Sequence, residues 1–440
     1  MPIHYRPAGS SASELVADIE AAVRDGRLQP GAALPAVRTL AADLRLSPAT
    51  VASAYRDLRT KGIARGQRRA GTRITGAPPV GPRPPITVPP GVRALAAGSP
   101  DPGLLPPFPA VTARRTGSVS PRLYGTAAVH PELADLAAAR FRADGIDPAH
   151  LAVVGGALDG VERALAAWLR PGDRIAVEDP GYAPLLDLLA AMDITAEPVG
   201  LDEHGARPEA LAGALHRGCR GVVLVPRAQS PTGAAWDARR AADLAAVLRA
   251  HPDVLAVEDD HAGEVAGAPA LTVTSGRSRW VTIRSVSKTL GPDLRLAVLA
   301  GDPVSIARVE GRQSLGTGWV SYLLQETVLA LWRDPATASL MQRASAAYAR
   351  RRAGLIGELA ARGIDAAGRT GFAVWIPVAD ELSVTTAMLG RGWSIAPGER
   401  FRIASPPGIR VGIGTITAEE SARFAADLSE CLASRPLRTD

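Results

Sequence analysis

The chain has 440 residues, 46% of them hydrophobic and 4% aromatic, with two cysteines and a formal net charge of +6. That length predicts more than one core, while Cys219 and Cys431 fit neither a disulfide framework nor a cysteine metal site. No apolar stretch reaches the roughly 20 residues needed to span a bilayer, and the opening MPIHYRPAGSSAS has no secretory pattern, so the expectation is a soluble, cytoplasmic protein.

The excess charge is local. Residues 1–76 hold 12 Lys and Arg against 6 Asp and Glu, whereas the remainder holds 38 of each. A basic N-terminal module facing a polyanion, nucleic acid foremost, is the expectation, with a solvated basic face as the plain alternative. Leu15, Ile19, Ala22 and Val23 share one helical face within 11–25. LQPGAALP then breaks the pattern, and AVRTLAADL and SPATVASAYRDLRTKG each repeat helical spacing. Ser47 reads as an N-cap with Pro48 at the first helical position. Three short helices, the last two joined by a tight turn, make a helix-turn-helix. IARGQRRAGTRIT, residues 63–75, reads as a β-hairpin wing.

Residues 76–91 contain seven prolines and read as a semi-rigid linker. From about 150 onward, apolar runs alternate with helical stretches: LAVVGG, RIAVEDP, GVVLVP, VLAVEDD, VTIRSVSK and LAVLAG are the strands. This predicts a largely parallel sheet with helices on both faces. FAVWIP and IRVGIG suggest a smaller α+β subdomain near the C-terminus. The expected division is a DNA-binding domain over 1–75, a linker over 76–92, and a third region over 93–440. That region splits into a large subdomain at about 120–320 and a small one at about 321–440.

Of 50 basic residues 48 are arginine, and only Lys61 and Lys288 are lysine. Arginine replaces lysine as a surface cation but cannot become a neutral amine nucleophile, so Lys288 is a candidate for imine chemistry. In open α/β sheets ligands bind beyond the carboxyl ends of the strands. There, Gly155, Gly156 and Ala157 lead into a helix whose N–H groups suit an anion; the stretch lacks the G-x-G core of a dinucleotide fingerprint. Strand alternation places Asp259 and His261 on one side of VEDDH and Asp260 on the other. Ser285, Ser287 and Arg295 surround Lys288 as a phosphate cradle would, and Gln229, Ser230 and Thr232 occupy another strand-end loop. One ligand satisfies all of these: pyridoxal phosphate needs a lysine for its aldehyde, a carboxylate for its ring nitrogen and donors for its phosphate. A metal site from Asp259, His261 and Glu264 is the weaker alternative, with no second histidine or cysteine nearby.

LPAVRTLAADLRLSPATVASAYRDLRTKGI resembles the winged-helix signature of GntR regulators. AAGSPDPGLLPP, YGTAAVHPELADL, GGALDGVERAL, VEDPGYAPLL, PRAQSPTG, VEDDHAGE, SVSKTLGPDLRL and IRVGIG follow in the order of fold-type-I aminotransferases. The chain thus resembles the MocR-type subfamily of GntR transcriptional regulators. The resemblance implies a mainly α winged helix-turn-helix joined to an α/β fold-type-I, pyridoxal-phosphate-dependent aminotransferase-like domain with a small C-terminal α+β subdomain. It implies that Lys288 forms the internal aldimine and that Asp259 pairs with the pyridine nitrogen. Gly156, Ala157, Ser285, Ser287 and Arg295 would bind phosphate, Tyr182 would stack on the ring, and Ser230 and His261 would face the phenolic oxygen. Tyr124 would reach the phosphate of the other subunit of a homodimer, and Arg410 would take an effector's carboxylate. Arg38, Ser47, Thr50, Arg68 and Arg69 would contact double-stranded operator DNA, with Ser47 facing base edges.

Three departures accompany the resemblance: Pro48 stands where many relatives carry a base-reading arginine, Ser230 where aminotransferases have asparagine, and His261 where most have tyrosine. They imply cofactor binding without efficient transamination. The expectation is a regulator that senses an amine or amino acid by aldimine exchange, with a genuine aminotransferase bearing a DNA-binding domain as the alternative. An imidazole at 261 is further expected to titrate near neutral pH.

Overall fold

The computed structural model describes residues 5–29, 31–60, 62–67, 71–74, 88–108, 123–148 and 150–433. The described residues form two compact units, the first holding those up to Ile74 together with Asp187–Thr195, and the second holding those from Val88 to Leu186 and from Ala196 on.

In the first unit, α1 (Ala12–Arg24) starts where the Ser11 hydroxyl accepts the Glu14 N–H. Helix α2 (Val37–Leu44) stops where Arg45 turns left-handed at φ 55°, and α3 (Pro48–Thr60) begins after a short turn. The Ser47 hydroxyl caps α3, accepting the Thr50 N–H at 3.0 Å and lying 2.8 Å from the Thr50 hydroxyl. Pro48 gives up only an N–H that has no partner inside the helix. Leu15, Ile19, Leu40, Val51, Ala54 and Leu58 form one core, and the Tyr55 hydroxyl donates to the Pro35 carbonyl at 2.8 Å. The wing is the antiparallel pair β1 (Ala64–Gln67) and β2 (Gly71–Ile74). Arg38 is exposed, whereas Thr50 is half-buried. Arg68, Arg69 and the linker through residue 87 lie outside the described residues.

The Ser47 oxygen is thus engaged by the helix that it starts, while the residue itself is exposed. Ser47→Ala is expected to cost about 1 kcal/mol, measured as roughly fivefold faster hydrogen exchange at the Val51 and Ala54 amides.

Beyond the linker, β3 (Arg93–Ala94) and α4 (Pro131–Ala143) precede the main alternation. It runs β4 (His150–Val154), α5 (Ala157–Trp168), β5 (Arg174–Asp179), α6 (Ala183–Ala191), β6 (Thr195–Asp202), β7 (Gly205–Ala206), α7 (Pro208–His216), β8 (Gly221–Leu224), α8 (Ala238–Arg249), β9 (Leu255–Asp260), β10 (Trp280–Ser285), β11 (Ala297–Gly301) and α9 (Pro303–Ser314). The sheet order is β4-β11-β10-β9-β8-β5-β6-β7. Strands β10, β9, β8 and β5 are parallel, and β8 and β9 are buried along their whole length. Such burial explains why β8 and the first half of β9 are apolar runs rather than alternations.

The LAVLAG strand departs from the expected parallel run. As β11 it is antiparallel to both β10 and β4. The connection from β10 holds only a 3-10 turn, Pro292–Leu294, where a parallel return needs a longer crossover, usually an α-helix.

The C-terminal part comprises α10 (Tyr322–Arg333), α11 (Pro335–Ala360), β12 (Ala373–Pro377), α12 (Glu381–Gly390), β13 (Trp393–Ser394), β14 (Ala396–Pro397), β15 (Gly408–Gly412) and α13 (Ala418–Ala433). Strands β12, β15 and β14 form an antiparallel sheet, while β13 pairs with β3. Asp179, ending β5, accepts the N–H groups of Ile403, Ala404 and Ser405, each at 2.8 Å. One carboxylate thus fixes the 403–405 loop to the main sheet.

Candidate functional site

A cavity of about 350 Å³ opens at the carboxyl ends of the parallel strands, where the fold leaves strand ends uncovered. Strand β9 and the residue after it contribute Asp259 and His261. The end of β10 contributes Ser285 and the turn after it Ser287 and Lys288, followed by Arg295. Ala157 at the start of α5, Tyr182 and Ser230 also line it, as does Arg410 from β15. Gly156 caps α5 at φ 110°, and a Cβ there would press on the Arg295 guanidinium, so this turn suits glycine on two counts. Tyr124 is not among the lining residues; it is 93% exposed, with its ring 5.8 Å from that of Trp319.

The three acids of VEDD have separate environments. Glu258 accepts the Val273 N–H and the hydroxyls of Thr272 and Thr282, and burial pushes it up to about 7. Asp260 receives Arg227 through two bonds of 2.8 and 2.7 Å and Arg284 at 3.2 Å. Burial alone would raise it, but Arg227 holds it below the usual carboxylate range. Asp259 is different. It is buried, its Oδ1 has no hydrogen-bond partner among the described residues, and burial followed by the neighbouring Asp260 pushes it up to about 7. A buried carboxylate oxygen without a partner is costly, and a protonated ring nitrogen is a group that would satisfy it.

Fixing Asp260 fixes the strand end that presents Asp259. Arg227→Met should therefore destabilise the large unit by about 3 kcal/mol, because it leaves a buried carboxylate with one cation instead of two. A lowered urea midpoint at unchanged slope would register this.

Lys288 donates to the Gly98 carbonyl at 2.5 Å and lies 5.6 Å from the centre of the Phe372 ring. Burial, then the nearby Arg410 guanidinium, lowers it to about 8. The Arg295 side chain donates to the Gly155 carbonyl at 3.1 Å, at the edge of the α5 N-terminus. Ser285 Oγ accepts the Ser287 N–H at 3.2 Å. Hydroxyls, a guanidinium and free helix N–H groups here form a phosphate-sized donor set. Arg410 donates to the Ala96 carbonyl at 3.2 Å, its Nε has no partner among the described residues, and burial lowers it to about 10. A buried guanidinium with unspent donors suits a carboxylate. The residues present fit pyridoxal phosphate.

His261 corrects the expectation of a near-neutral imidazole. Burial, then Lys288, lowers it to about 4, so it stays neutral across physiological pH. Glu178 and Gly98 were missed. Glu178, next to last in β5, is 3% exposed, has an Oε2 without a partner among the described residues, and is pushed up to about 8 by burial. An acid ending an apolar strand, as in RIAVED, was the available signal. Gly98 acts through its carbonyl, which residue identity does not reveal.

Fold and site together define a fold-type-I aminotransferase-like protein preceded by a helix-turn-helix unit. Residues 95–428 match the family Aminotransferase class I and II, and residues 11–74 match Bacterial regulatory proteins, gntR family. The chain is 37% identical to the vitamin B6 salvage pathway transcriptional repressor PtsJ of Salmonella typhimurium, over 96% of this chain and 99% of that one. It is 28% identical to the pyridoxine biosynthesis transcriptional regulator PdxR of Corynebacterium glutamicum, over 70% of each. Among solved structures it resembles LysN, the α-aminoadipate aminotransferase of Thermus thermophilus complexed with N-(5'-phosphopyridoxyl)-L-leucine. The TM-score is 0.69 at 20% identity, covering 78% of this chain and 92% of that one. The chain belongs to the MocR-type subfamily of GntR transcriptional regulators, with an aminotransferase class I and II domain.

Proposed function

We propose that this regulator binds pyridoxal phosphate in the cavity around Lys288 and that what occupies this cavity sets its affinity for operator DNA. The observation carrying the proposal is the pairing, in one cavity, of an Asp259 Oδ1 without a partner among the described residues with the amine of Lys288. When bound, the cofactor supplies an aldehyde that condenses with primary amines and a ring that absorbs visible light. Lys288, with its lowered basicity, holds the neutral amine that the aldehyde requires. Asp259 would accept a hydrogen bond from the protonated ring nitrogen and so hold the proton on that nitrogen. Gly156, Ala157, Ser285, Ser287 and Arg295 bind the phosphate, Tyr182 covers one face of the ring, and Ser230 and neutral His261 address the phenolic oxygen. Arg410 takes the carboxylate of an amino-acid effector through two donors.

The N-terminal domain over 1–75 contacts DNA through Arg38, Thr50 and the start of α3, with Arg68 and Arg69 from the wing. The linker over 76–92 joins it to the domain over 93–440. The protein works as a homodimer, with the exposed Tyr124 serving the neighbouring site, in the cytoplasm. Because two relatives are named for vitamin B6 salvage and pyridoxine biosynthesis, the sensed ligand we favour is the cofactor itself. The buried, under-used Arg410 favours a carboxylated amine as a second ligand.

A second reading is amino transfer, favoured by the presence of Lys288, Asp259 and Arg410 in one cavity. Ser230 and His261 replace the usual cofactor partners, so we propose no efficient turnover. Reconstitution with pyridoxal phosphate should give a visible absorption band. A colourless protein would sink the proposal, and multiple-turnover transfer to a keto acid would favour the enzyme reading.

A further inference from the structure

Residues 93–101 cross the cavity as a strap whose two ends are pinned away from it. At one end β3 pairs with β13, and Arg93 donates to Glu420 at 2.7 Å. The Leu95 N–H donates to the Ser394 carbonyl at 2.8 Å, and its own carbonyl accepts the Gly412 N–H at 2.6 Å. At the other end the Asp101 N–H donates to the Tyr348 hydroxyl at 2.9 Å, and its carboxylate pairs with Arg351 at 2.8 Å. Between them, the hydrogen bonds described for Ala96 and Gly98 run only to the two cations of the site: Arg410 to the Ala96 carbonyl and Lys288 to the Gly98 carbonyl. Gly98 packs so closely that a Cβ would overlap the Arg410 guanidinium. No other residue type fits there without displacing strap or cation.

We propose that this strap reads the chemical state of Lys288: the Gly98 carbonyl holds the strap down while the amine is free, and the strap loosens when the amine is committed to a carbonyl ligand. The inference rests on the cofactor reading above and adds the route by which occupancy leaves the site. When the neutral Lys288 amine condenses with an aldehyde, its nitrogen bonds to the aldehyde carbon. The aldehyde oxygen departs as water with both amine hydrogens. The N–H bonds that reach the Gly98 carbonyl are the ones this step removes. A ligand carboxylate on Arg410 competes with the Ala96 carbonyl in the same direction, so the strap loses one clasp to the cofactor and a second to an amino acid. The strap continues N-terminally into the proline-rich residues 76–91. The coupling that we propose to the DNA-binding unit runs through this chain continuity, and such a device shifts an equilibrium only by the difference in ligand affinity between its two states.

The test is hydrogen exchange of the full-length chain at the Leu95 and Asp101 amides, with and without pyridoxal phosphate, alongside the visible spectrum. Loading should speed exchange about tenfold or more, the worth of one hydrogen bond involving a charged group. Lys288→Ala should exchange fast without cofactor and show no further change on its addition. Gly98→Ala, which forces the strap off Arg410 while keeping Lys288, should behave as loaded before any cofactor is added. A visible band with unchanged exchange would overturn the strap alone. The absence of any band would overturn the cofactor reading and the strap with it.

Discussion

Lys288→Ala is expected to abolish the visible band of the reconstituted protein and every response of DNA affinity to pyridoxal phosphate, while DNA binding itself persists. The argument is chemical before it is structural. Imine formation requires a primary amine that can lose its proton. The chain has one other lysine, Lys61, in the sequence of the basic N-terminal region. Arginine cannot substitute because it does not deprotonate in proteins, so Lys288→Arg should fail as completely as alanine while preserving the charge beside Arg410. Retention of a bound chromophore by Lys288→Arg would mean that the cavity holds the cofactor without a covalent link.

The second large effect concerns pH. An ordinary lysine titrates near 10.5, whereas burial and Arg410 bring Lys288 to about 8. A cationic acid with a lowered midpoint is neutral over a wider range, so the rate of cofactor uptake should rise with pH and level off above about 8 rather than above 10. At pH 7 the fraction of neutral amine is then about 300-fold larger than for an exposed lysine. Replacing Arg410 with glutamine removes a like charge and must move the midpoint upward. A stopped-flow series of absorbance against pH reads both. A midpoint left near 8 in Arg410→Gln would assign the shift to burial alone. His261, held near 4, contributes no step between pH 6 and 9, and His261→Tyr should leave the midpoint of this profile in place.

The sequence made much of the site legible because an arginine-for-lysine bias singled out Lys288, and because strand ends are where an α/β sheet exposes chemistry. Alternation separated Asp259 from Asp260, and the structure gives them different partners: Asp260 takes Arg227 and Arg284, while Asp259 Oδ1 takes none among the described residues. Features that depend on packing were not legible. The depressed basicity of His261 comes from burial that no spacing rule reports. Glu178 accepts the Val225 N–H through one carboxylate oxygen and leaves the other without a partner among the described residues, a difference that depends on its packed neighbours and not on its place in VEDPGY. The Gly98 carbonyl meets a lysine 190 residues away in the chain, and nothing in either residue's type announces the contact. The direction of β11 follows from a connection too short for a parallel return, which the strand–helix alternation does not express.

The central claim, that occupancy of the Lys288 cavity sets DNA affinity, is tested most directly by the dissociation constant of the full-length protein for its operator at fixed salt. It should be measured with and without pyridoxal phosphate while absorbance reports loading. The account predicts a change of about 5- to 150-fold, the usual span of coupling between two sites, in the wild type and no change in Lys288→Ala. Identical dissociation constants for the loaded and cofactor-free wild-type protein would contradict it.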